Sequence, residues 1–241
     1  MELDEDRDAD SDSPITATNT ESTSELLARL QNAVCSSPVK IYVGRNTNIR
    51  PALIEQDIRC EVSPQYFAKC FDKDSPFARF KEADEEDRSF TFADYTPDTV
   101  KVFLYWLTYR RIPAMSKLDT GAFMLGSEYQ LLLARCWAFG EDKEIPRMQN
   151  AVMKAFIASL RQVEMTVDVL QKVLKFAMRE SRLRVAVLEE ALYLEADGGE
   201  LLEGLDVKGV FGFGYDMSRA KTAIDKRRGR RGRAAEYLVK V

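Results

Sequence analysis

The side chains able to do chemistry in this chain are carboxylates, lysines, tyrosines, arginines and 4 cysteines, and there are 0 histidines among them. The missing histidine excludes Ser-His-Asp and Cys-His nucleophile machinery and every histidine-ligated metal site. General acid–base work would fall to carboxylates, lysines or tyrosines. The 39 Asp and Glu residues mark loops and solvated helix faces, with no pair isolated in an apolar stretch that would drive two pKa values apart. Cys35, Cys60, Cys70 and Cys136 form no C-x-x-C pair, so neither a zinc finger nor a disulfide framework is indicated. They read as buried free thiols of a reducing compartment, cytoplasmic or nuclear. Gly212-Phe213-Gly214 lacks the third glycine and the helix signature of a dinucleotide fingerprint, and reads as a linker or an aromatic staple. From its residues the chain is expected to be no enzyme, with no catalytic residue, no cofactor and no metal site.

Charge is very unevenly placed. The formal net charge of −4 averages an acidic start, MELDEDRDADSDS, and a basic end, KRRGRRGR. Both are poor in apolar residues, and neither end is expected to pack. The basic cluster, Lys226, Arg227, Arg228, Arg230, Arg231 and Arg233, has three readings: a nuclear import signal, an arm that binds nucleic-acid phosphates, or a solvated tail with no partner. No aromatic residue interleaves these cations, which argues against base stacking by the tail itself. No apolar run of about 18 residues occurs and the acidic start lacks the pattern of a secretory signal, so no membrane contact is expected.

The elements that would position these groups follow from periodicity. Residues 1–37 are acidic and Ser/Thr-rich and read as mostly disordered, with a short amphipathic helix over Ser24–Val34 led by Leu26, Leu27 and Leu30. Val39–Val43 alternates as a strand closed by Gly44. A short strand at Ile49 is expected to give way to a helical pattern after Pro51, and Ser63 to cap a helix over Gln65–Phe71. Phe90 and Phe92 share one face of a strand over Ser89–Phe92. After it come Thr96 as N-cap, Pro97 in the first turn, and Val100, Phe103, Leu104 and Leu107 on one buried helix face widened by Tyr105 and Trp106. Further helices are predicted over Ser127–Phe139, capped by Gly140, then Ile145–Leu160, Val167–Met178 and Leu183–Leu194, before a break at Gly198-Gly199.

Taken in order, these segments resemble the BTB/POZ domain in its fungal form. The resemblance rests on Val39-Lys40-Ile41-Tyr42-Val43-Gly44, Ser63-Pro64-Gln65-Tyr66-Phe67, Phe80-Lys81-Glu82, Tyr105-Trp106-Leu107-Thr108-Tyr109, Ala138-Phe139-Gly140-Glu141 and Ile145-Pro146-Arg147-Met148-Gln149-Asn150. It covers residues 38–160 and implies an α+β fold, a small sheet clasped by a cluster of helices. A C-terminal helical extension over 161–196 and a Gly-aromatic linker with basic tail over 197–241 would complete the chain. Where the family carries Val-His-Lys before its first helix, this chain has Ile49-Arg50-Pro51. The resemblance implies a protein-interaction module that binds itself, another BTB/POZ protein or a cullin-type scaffold as a ubiquitin-ligase adaptor. Phe80 and Glu82 match the pattern with which some members touch a cullin. Read from the residues alone, Phe80 is a core anchor and Glu82 a solvated loop residue. The alternative class is a nuclear regulator whose basic tail binds nucleic acid.

Overall fold

Alternating β-branched residues build the sheet. In the computed structural model, which describes residues 21–35, 38–43, 50–55, 89–118, 125–227 and 229–240, strand β1 (Pro38–Tyr42) buries Val39 and Ile41 and leaves the residues between them half-covered. Strand β2 (Ala52–Glu55) pairs antiparallel with β1, Ile54 opposite Val39. Strand β3 (Ser89–Thr91) pairs parallel with β1 on its other edge, Phe90 opposite Ile41, giving the order β2-β1-β3. The two strands expected at 39–43 and 89–92 therefore share one sheet. The stretch after Pro51 departs from expectation, because it is strand and not helix. Ala52 and Ile54 are both buried, a period of two that only an extended chain pairing with β1 satisfies. The helix expected over Gln65–Phe71 and its cap Ser63 lie outside the described residues.

Seven α-helices accompany this sheet among the described residues. Helix α1 (Thr23–Gln31) starts on a capping box in which the Ser22 hydroxyl accepts from the Glu25 N–H and Glu25 accepts from the Ser22 N–H. Leu26 and Leu30 dock it onto β2 and α2. Helix α2 (Pro97–Tyr109) begins as predicted, with Thr96 accepting from the Thr99 N–H and Pro97 in its first turn. It ends at Arg110, whose φ of 55° is left-handed. The four expected face residues are buried, and so are Val102, Tyr105 and Trp106, so the helix is enclosed on most sides. Phe92, Phe103 and Phe139 pack edge-on or tilted at centroid distances of 5.0–6.1 Å, locking sheet to helices.

Helix α3 (Gly126–Asp142) runs through Gly140, which was expected to cap it. A Cβ at Gly140 would lie 2.9 Å from Gln149 Cγ, so this glycine serves close approach of α3 to α4 (Pro146–Leu160) and not a left-handed turn. The reversal falls at Glu144, with φ 52°. Met148, Val152, Phe156 and Leu160 form the buried stripe of α4 as their spacing requires. Helices α5 (Val167–Phe176) and α6 (Arg182–Ala196) follow, capped by Thr166 and Ser181 hydroxyls. Cys136 is buried and Cys35 half-buried, and burial holds the Cys136 thiol well above its usual range. Cys60 and Cys70 lie outside the described residues.

The C-terminal quarter corrects a third expectation. Helix α7 (Phe213–Lys226) starts directly after Gly212, at φ 77°, and packs along α6. The residues beyond it run back over α4 and α6 through a short 3-10 turn, Ala234–Tyr237. Charge did not prevent packing here, because α6 supplies acids of the opposite sign.

Candidate functional site

Of the residues singled out from the sequence, Phe80, Glu82 and Arg228 lie outside the described residues. The other five tail cations are split between two environments. Arg227 pairs with Glu189 and, at 2.5 Å, with Glu236. Arg231 donates to Glu190 at 2.5 Å, and its guanidinium lies 4.3 Å from the centre of the Tyr193 ring. Lys226, Arg230 and Arg233 are exposed. Tyr237, itself buried, donates its hydroxyl to Glu189 at 2.5 Å. The Asn150 side chain holds the backbone of Val239 from both sides, accepting from its N–H at 2.7 Å and donating to its carbonyl at 3.0 Å. Gly232 is required in this path, since a Cβ there would fall 1.8 Å from the Tyr237 hydroxyl.

The electrostatics follow from burial. The Glu190 carboxyl is pushed up from its ordinary value by burial, which outweighs the opposing pull of Arg231. Burial also acts on Glu236, but the Arg233 N–H and the Arg227 guanidinium overcome it and hold that carboxyl low. Arg227 and Arg231 thus neutralise acids that α6 has drawn out of water, and Lys226, Arg230 and Arg233 are the described tail cations left exposed.

A second region was not singled out by sequence reasoning. Two open clefts adjoin along α2, α3 and α5, and Arg135 lines both. The first, of about 520 Å³, is lined by Asp98, Ser127, Glu128, Asp168 and Lys172. The second, of about 460 Å³, is lined by Asp94, Tyr95, Glu141, Phe176 and Met178. Phe176 and Met178 are 37% and 52% exposed, and Leu125, on the lining of the first cleft, is 57% exposed. Helix α5 buries Val169, Leu170, Val173 and Leu174, so Phe176 and Met178 fall past the end of its buried stripe. That offset is the signal available in the sequence: large apolar residues at and just past the helix end, out of phase with its buried stripe.

Glu141 is the perturbed group of this region. Burial pushes its carboxyl up to about 7, and its Oε2 has no hydrogen-bond partner among the described residues. Nearby Asp142 is held low despite burial, by Lys143 and by the Tyr95 hydroxyl that donates to it. A carboxyl whose folded pKa lies above its unfolded value binds more protons in the folded state between the two. Stability is then lost as pH rises from about 4.5 toward 7, and the loss is complete above that window. Glu141→Gln is expected to raise stability at pH 8 by about 1–2 kcal/mol, discounted for the half-exposed position, and to change little at pH 4.5. Urea titrations at the two pH values check this, and an equal effect at both would show that the carboxyl is solvated.

No group of three Cys, Asp and Glu able to hold a metal occurs among the described residues. What the clefts offer is open, mixed-charge concavity with apolar side chains at its border. No helix among the described residues is long and apolar enough to cross a membrane. No protein family, no curated protein and no solved structure matches the chain.

Proposed function

We propose that the chain is a protein-interaction module of BTB/POZ type that works by binding, associating with itself, with another BTB/POZ protein or with a cullin-type scaffold as a ubiquitin-ligase adaptor. The observation that carries the binding role is the pair of open clefts joined at Arg135 and bordered by exposed Leu125, Phe176 and Met178. Apolar side chains held at the surface of a well-packed helix cluster are the usual anchors of an interface, where a few of them supply most of the binding energy. The family reading is supported by the sequence order that carries the resemblance and by a sheet in which β1 pairs with β2 on one side and β3 on the other.

The test separates the partner sites. Purified full chain is mixed with a cullin scaffold, and its self-association is followed by sedimentation velocity. Phe80→Ala is expected to abolish cullin binding with an unchanged melting temperature, and Phe176→Ser with Met178→Ser to weaken whichever association uses the clefts. A Phe80→Ala protein that melts early identifies Phe80 as a core residue. A stable one that still binds the cullin removes the adaptor role. A chain that stays monomeric and binds no BTB/POZ or cullin partner overturns the reading.

The second reading, a nuclear regulator that meets nucleic acid through its tail, is favoured by the exposure of Lys226, Arg230 and Arg233. It loses Arg227 and Arg231, which are engaged with Glu189, Glu236 and Glu190.

A further inference from the structure

The start of α7 carries a surface that neither reading uses. Phe211 is 75% exposed and Tyr215 50% exposed. The Arg179 guanidinium lies 5.1 Å from the Phe211 ring centre and 5.8 Å from that of Tyr215, and Arg219 lies 5.8 Å from the Tyr215 ring on its other neighbour. Aromatic rings and guanidinium planes therefore alternate along one strip: Phe211, Arg179, Tyr215, Arg219.

The strip is built, not a frayed loop. Arg184, buried in the α6–α7 contact, donates to the Phe211 carbonyl at 2.9 Å, so the backbone is held while its ring stands in water. Gly212 has φ 77°, and a Cβ there would lie 3.0 Å from Arg179 Cγ, so the arginine stem rests directly on the peptide. Arg219 donates to the Glu180 carbonyl at 2.9 Å, fixing its position beside Tyr215. An exposed phenyl ring loses the hydrophobic gain it would have in the core, so local order of this kind at a ring left in solvent points to a ligand.

The charge around the strip selects the ligand class. Between Lys208 and Arg233 the sequence has nine basic residues and two acidic ones, Asp216 and Asp225, while at the strip itself the half-exposed Glu180 pairs with Arg179 Nε at 3.3 Å, one acid against its two arginines. Asp216 is fully buried and pairs with Arg184 at 3.1 Å, so it does not oppose an anion at the surface. Arg219 also borders a cleft of about 280 Å³ with Arg182 and Arg227, in which the acids Glu189 and Glu236 are both paired to Arg227. Exposed rings offer stacking faces and the arginines offer N–H edges to phosphates, the combination by which single-stranded nucleic acid is bound with little sequence preference. An acidic peptide without aromatic or proline side chains would use the cations but leave the rings bare.

We propose that Phe211, Tyr215, Arg179 and Arg219 form a binding site for single-stranded nucleic acid, with the bases on the rings and the backbone on the arginines. The site supplies the aromatic faces that the tail lacks, and it stands independently of the clefts at Arg135. The test is fluorescence anisotropy of a labelled oligothymidylate of about ten nucleotides titrated with the full-length protein. The single strand is expected to bind more tightly than a duplex of equal length, and affinity to fall with added salt. Phe211→Ala and Tyr215→Ala should each weaken binding by about tenfold with unchanged melting temperature, because both rings are exposed. Arg179→Ala and Arg219→Ala should also flatten the salt dependence. Binding that is absent at low salt, that survives removal of both rings, or that is lost only with Arg230→Ala and Arg233→Ala overturns the proposal, the last assigning it to the tail. Equal displacement by oligoglutamate overturns it in favour of an acidic peptide.

Discussion

Replacing Trp106 with alanine is expected to cost about 3–5 kcal/mol, the range for emptying a large aromatic core site. The indole is 2% exposed and sits in α2 between Tyr105 and Leu107, both buried, so the neighbours on its helix cannot swing into the space without leaving their own contacts. The guanidinium of Arg110 lies 5.4 Å from the ring centre and would lose that contact too. Arg110 closes the helix in a left-handed conformation, so backbone relaxation toward the cavity is restrained from the C-terminal side. Chemical denaturation of wild type and variant gives the number directly. A loss below about 1 kcal/mol would mean that the indole is not packed as described.

Breaking the Arg184–Asp216 pair is expected to be as damaging, through a different mechanism. Its side chains are 3% and 0% exposed and 3.1 Å apart, and they join α6 to α7. Arg184→Leu leaves a carboxylate stranded in the interior, with an expected cost of about 3–5 kcal/mol. Asp216→Leu strands the guanidinium, although Arg184 keeps the Phe211 carbonyl as an acceptor. The double variant Arg184→Leu, Asp216→Leu should recover most of either loss, because no unpaired charge remains and apolar side chains replace the ions. Urea midpoints for the two singles and the double form the cycle. A double variant that costs the sum of the singles would show that the pair is not coupled. If the pair holds α7 in place, the Arg184→Leu protein should also be cut faster by protease near Val207–Gly212, before it unfolds globally.

How far the sequence carries depends on the range of the interaction involved. The cap at Thr96 and the stripe of α4 are local, set by residues within about four positions of each other, and so the helices of residues 97–196 are read almost to their ends. Gly140 was misread because a glycine near a helix end signals a cap in sequence, whereas its use here is close contact with Gln149 on the next helix. The strand at Ala52–Glu55 was misread because four residues are too few to separate a period of two from 3.6 without knowing that β1 lies beside them. In the clefts, Glu141 and Arg135 are ordinary residues of an amphipathic helix until α5 and the residues after it face them.

By itself the sequence determined the inventory: no histidine, hence no histidine-dependent catalysis or metal ligation, and enough periodic apolar residues for a mixed α+β core. Tertiary structure alone decided what the charges do. Arg227 meets Glu189 across 38 positions and Arg231 meets Glu190 across 41, so a segment that reads as repelled and solvated becomes a neutralised strap on α6. The same folding back leaves Phe211 and Tyr215 outside with Arg179 between them. The physical reason is range. Hydrophobic periodicity is written along the chain, whereas a charge or a ring takes its meaning from whichever distant group the fold sets within a few ångströms of it.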